Sequence, residues 1–130
     1  MDPHLRLPKN APGPFYTTGG CIACGAPEDA APDLLAPLTD DNWETYFLRQ
    51  PESPEETERA CCAAEVCCLN SVRYGGTDPL ILRRLGNRLA FCDRPLPGGP
   101  VRLPWETGAA WEAARRAWRL ATRRWWQFWK

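Results

Sequence analysis

Short apolar runs separated by turn residues fill most of this chain, and a helical period takes over near its end. Phe15-Tyr16-Thr17-Thr18 has the aromatic and β-branched composition of a strand. Glu28–Leu35 predicts a short helix interrupted at Pro32. Trp43–Leu48 is β-prone and follows the turn residues Asp40-Asp41-Asn42, so a hairpin is expected there. The best-marked element is a helix from Pro54 to about Cys67. Ser53 can cap it, Pro54 suits its first position and Glu56 completes a capping box. Thr57, Ala60, Cys61, Ala64, Cys67 and Cys68 recur at helical spacing, giving a face of small residues that can approach a sheet closely. Ser71–Tyr74 reads as a short strand ended by Gly75-Gly76. Asp78-Pro79 then opens a short helix over Leu80–Leu85, closed by Gly86. Thr107–Trp129, rich in Ala and Arg, predicts a long helix.

These elements divide the chain into a polar, Pro-rich arm (1–14), an α+β domain (15–93), a Pro/Gly linker (94–104) and a C-terminal amphipathic helix (105–130). A length of 130 residues suits one core with an extension. Formal net charge is zero, which gives no bulk attraction to nucleic acid. The balance is uneven: Glu106–Lys130 holds six Lys/Arg against two acidic residues, so the remainder is acidic. Met1–Ala11 lacks the apolar run of a secretory signal, and no segment approaches the apolar length of a bilayer span. The cysteines number seven and include adjacent pairs such as Cys61-Cys62, a poor disulfide framework. A reducing cytoplasm is the expected location, where clustered thiols signal metal or redox chemistry.

The candidate chemistry lies in those thiols. Cys21 and Cys24 form a CxxC within Gly19-Gly20-Cys21-Ile22-Ala23-Cys24-Gly25, a turn where cysteine has little packing rationale. Cys67 and Cys68 end the central helix, and Cys92 stands alone beyond it. Cys61, Cys62 and Cys68 read as small apolar core residues instead, with Cys68 an alternative to Cys67 as a donor. Four thiolates suit either an iron–sulfur cluster or zinc, and the spacing alone does not separate the two.

The order strand, CxxC loop, short helix, hairpin, helix, cysteine, strand resembles the bacterial single-cluster ferredoxins over roughly Phe15–Tyr74. Cys21-Ile22-Ala23-Cys24-Gly25-Ala26-Pro27 is similar to their CxxCxxC loop, with Pro27 where the third cysteine would stand. Cys67-Cys68-Leu69-Asn70-Ser71-Val72 is similar to their remote Cys-Pro segment, with Cys68 in place of the proline. Ala31-Pro32-Asp33-Leu34 also resembles the segment after the loop. The resemblance implies a ferredoxin-like domain, a short antiparallel sheet with two packed helices, that carries single electrons on an iron–sulfur cluster. It implies Cys21, Cys24 and Cys67 as ligands, and Cys92 is the expected fourth. The alternative is a ferredoxin-like binding protein that has lost its cluster, serving as adaptor, assembly subunit or inhibitor, with a structural zinc or no metal.

In the C-terminal helix Trp111, Trp118 and Trp125 are seven residues apart. They form an apolar stripe with Ala114 and Ala121, extended by Phe128 and Trp129 and flanked by Arg115 and Arg119. Three uses fit this pattern: packing on its own domain, docking to a protein partner, or lying at a membrane surface. No nucleic acid or small-molecule substrate is expected. His4, the only histidine, falls in the arm, and no phosphate-binding glycine loop occurs, so an enzyme is not expected.

Overall fold

The computed structural model describes residues 6–18, 24–67 and 70–128, with side chains in the last helix as far as Ala121. Among these residues the architecture is mixed α and β. Strand β1 (Phe15–Thr17) precedes helices α1 (Ala26–Ala30) and α2 (Pro54–Val66). Strand β2 (Val72–Tyr74) then leads to α3 (Pro79–Arg84) and α4 (Gly108–Phe128). β1 and β2 form a two-stranded antiparallel sheet in the register Phe15↔Tyr74, Tyr16↔Arg73, Thr17↔Val72. Successive side chains of a strand point to opposite faces. Phe15, Val72 and Tyr74 accordingly join the apolar core, while Tyr16 and Arg73 meet Asp93 on the other side.

α2 forms as its signals require. The Ser53 hydroxyl accepts the Glu56 N–H at 3.1 Å, and Pro54 occupies the first turn, where its missing N–H costs nothing. Its buried face is Ala60, Cys61, Ala63 and Ala64, so small side chains let α1 and the sheet pack close. α1 is shorter than expected and ends before Pro32; Leu34 and Leu35 then direct their N–H groups to Ala31 C=O. Leu34, Leu35 and Phe47 are fully buried beside Phe15, and the Phe15 and Phe47 rings lie 5.9 Å apart.

The hairpin expected at Trp43–Leu48 forms in part, as the isolated antiparallel bridges Leu35↔Phe47 and Thr39↔Asn42 rather than as continuous paired strands. From Glu44 to Leu48 the segment keeps strand alternation, with Thr45 and Phe47 buried and Glu44, Tyr46 and Leu48 facing outward, while Trp43 is exposed. Its hydrogen bonds are shared among several partners rather than given to one strand. Ala36 N–H reaches Tyr46 C=O, Leu48 N–H reaches Leu34 C=O, Ala11 N–H reaches Phe47 C=O, and Phe47 N–H reaches the Asn10 amide oxygen.

Two segments expected to be loose are tied down. In the region read as an arm, residues 6–14 lie along β1. Arg6 bridges Thr18, Leu7 N–H donates to Thr17 C=O, and the buried Asn10 amide donates to Leu7 and Thr17 carbonyls. In the region read as a linker, the Asn87 amide donates to Leu96 C=O and Gly99 C=O, while Val101 N–H reaches Gly86 C=O.

α4 rests on this second segment through one stripe. Trp111, Ala114, Trp118 and Ala121 are half-buried among exposed neighbours. The Trp118 indole lies against Gly99, where an added Cβ would sit 3.4 Å from the ring. Arg88 faces the Trp111 ring at 5.9 Å and pairs with Glu106. No helix among the described residues is long and apolar enough to cross a membrane.

Candidate metal centre

The two cysteine-bearing segments meet at one end of the sheet. Thr18 N–H donates to Ser71 C=O at 2.8 Å, one step beyond the Thr17↔Val72 pair. The chain therefore enters its CxxC segment where it leaves the Cys67–Ser71 segment for β2. Cys24 follows as an exposed thiol directly before Gly25. Gly25 caps α1 with φ of 85°, a left-handed conformation that glycine adopts without steric cost. Pro27 lies in the first turn of α1 and is fully buried. The position of a third loop cysteine in the ferredoxin pattern is thus occupied here by a packed residue that starts a helix.

Cys67 is the C-cap of α2 and is 5% exposed. Its sulfur accepts the Ser71 N–H at 3.3 Å and lies 3.4 Å from the Ser71 hydroxyl. Asn70 turns the chain back in a left-handed conformation (φ 53°) and donates its N–H to Cys67 C=O. These contacts tie the Cys67 sulfur to the start of β2. Cys21 and Cys68 lie outside the described residues. Among those described, no group of three or more His, Cys, Asp or Glu side chains is placed to hold a metal.

Cys92 occupies a different place. It is 1% exposed and pairs with Tyr74 in a parallel bridge, at the end of β2 away from Ser71. Three residues of extended chain span about 10 Å. Burial pushes its thiol up to about 11. Cys92 belongs to the apolar core together with Cys61, whose thiol burial raises to about 12. Cys62 is half-buried between Glu58 and Arg84, 3.5 Å from the guanidinium, and its thiol too is raised by burial. Cys67 belongs to the same buried cluster as Cys61 and Cys92, while Cys24 is exposed; Cys67 lies beside Ser71 at the start of β2 and Cys92 at its other end.

The stripe residues of α4 divide similarly. Trp111 and Trp118 face the body. Arg115 is exposed, pairs with Glu112 at 3.2 Å and lies 5.9 Å from the Trp111 ring; Arg119 is also exposed. The Trp125 side chain and Trp129 lie outside the described residues.

Sequence reasoning missed the polar group behind the sheet. Arg73 is 3% exposed, donates to Asp93 at 2.8 Å and to the Ala90 and Leu89 carbonyls, while the Tyr16 hydroxyl donates to the same Asp93. Arg6 stacks over Tyr16 at 4.6 Å. The one available signal was the strand period, which sets Tyr16 and Arg73 opposite the apolar face. Compared with protein-family models, characterised proteins and solved structures, the chain matches none.

Proposed function

We propose that this chain is a ferredoxin-like electron carrier whose metal centre is held by thiolates where β1 ends and β2 begins. The observation that carries this reading is the Thr18–Ser71 hydrogen bond, which ties together the two segments that bear Cys21, Cys24 and Cys67. The N–H donated to the Cys67 sulfur supports it, because it offsets negative charge on that ligand. Cys68 replaces Cys92 as the fourth donor in this proposal, being adjacent in sequence to a residue already at the site. An iron–sulfur cluster bound there would take up and release one electron at a time. Cys24 is exposed and gives the site an edge at the surface. The acidic excess outside α4 suits a basic redox partner, while the exposed arginines of α4 add a second, basic surface for docking.

Pro27 favours a second reading. With the third loop position given to helix packing, the same scaffold serves as a cluster-free binding protein. Anaerobic purification followed by iron, acid-labile sulfide and zinc analysis separates the two. The electron-carrier reading expects brown protein with stoichiometric iron and sulfide. Colourless protein without either overturns it, and zinc alone assigns the thiolates a structural role.

A further inference from the structure

A cleft of about 300 Å³ lies beside α1, walled by Gly25, Glu28, Asp29, Pro32, Pro37 and Leu38. This is at the lower limit of small-molecule sites, roughly 300–1,000 Å³. Its apolar wall is Pro32, Pro37 and Leu38, and its charged wall is Glu28 with Asp29. Glu28 is only 9% exposed. One of its carboxylate oxygens accepts the Thr45 hydroxyl at 2.5 Å, which fixes the side chain. The other, Oε2, is buried and has no hydrogen-bond partner among the described residues. A buried carboxylate oxygen without a partner is unfavourable, and an arriving N–H donor with positive charge would relieve it. Asp29 at the exposed rim adds a second negative charge that attracts the same ligand.

We propose that this cleft binds an alkylammonium group, with the cation on Glu28 and the carbon chain along Pro32, Pro37 and Leu38. The chemistry is shared by a free aliphatic amine and by a lysine side chain presented by a partner protein. The cleft borders the thiolate site at Gly25, but its ligand contacts are Glu28 and the apolar wall, so the proposal does not require a metal.

The test is NMR titration of the full-length protein, as purified, with n-butylamine at neutral pH, with n-butanol as the uncharged control. Amide shifts should move and saturate around Glu28 and Leu38 with the amine and not with the alcohol. Glu28→Gln should weaken the amine by about tenfold or more, as expected when a hydrogen bond to a charged group is lost. Leu38→Trp, which leaves Glu28 intact and fills the cleft, should abolish binding in a protein whose remaining spectrum is unchanged. Equal response to amine and alcohol, or undiminished binding in Leu38→Trp, overturns the proposal. A lysine-containing peptide that binds more tightly than butylamine would identify a protein as the source of the amine. A peptide no tighter than butylamine would identify the free amine.

Discussion

Tyr16 shows how much of this protein's behaviour is set by single buried polar groups. Its hydroxyl is pushed up to about 12, first by burial and then by its hydrogen bond to Asp93, with the Arg73 guanidinium opposing both. The unfolded phenol titrates near 10, so the folded state holds the proton more tightly. The associated stability is complete below pH 10 and is lost as pH rises through 12. Burial raises Tyr74 as well, so the near-UV tyrosinate titration of the native protein should show a component with a midpoint near 12 that Tyr16→Phe removes. Little of this was legible beforehand. Tyr16 and Arg73 are recognisable as off-core strand positions, but nothing near Cys92 marks Asp93 as their partner. Asn10 was hidden for the same reason, since an amide in a Pro-rich segment reads as a turn residue until its three backbone partners are known.

At the scale of elements, local signals determined α2 fully and residues 43–48 only in part. A cap, an N-terminal proline and a small-residue face act within one helix, so the sequence carries them all. Phe47 depends instead on partners at Leu34–Ala36 and Asn10–Ala11, which no local pattern names. The consequences differ in size. Ser53→Ala removes one cap hydrogen bond and should lower unfolding free energy by about 1 kcal/mol. Phe47→Ala empties a fully buried site against Phe15 and should cost about 3–5 kcal/mol. Urea denaturation of both variants checks the ranking, and near-equal losses would show that the 43–48 segment contributes little to the core.

For the whole molecule, the body and α4 are unequal partners. The apolar core cluster runs from Phe15 to Cys92, and α4 adds only a half-buried Trp stripe on Gly99 and Arg88. Removing residues 108–130 should therefore preserve cooperative unfolding of the body while lowering its stability by about 1–3 kcal/mol. Loss of cooperativity would make α4 part of the core. The order of strands and helices in the body was readable because caps, turns and strand composition are local signals. Where each cysteine sits was not, because it depends on which end of β2 each one approaches. The most direct measurement is the iron and sulfide content of Cys67→Ser and Cys92→Ser, each purified without oxygen beside the unaltered protein. The account predicts that Cys67→Ser loses both and Cys92→Ser retains both. Metal-free unaltered protein, or a metal centre lost with Cys92 and kept without Cys67, would contradict it.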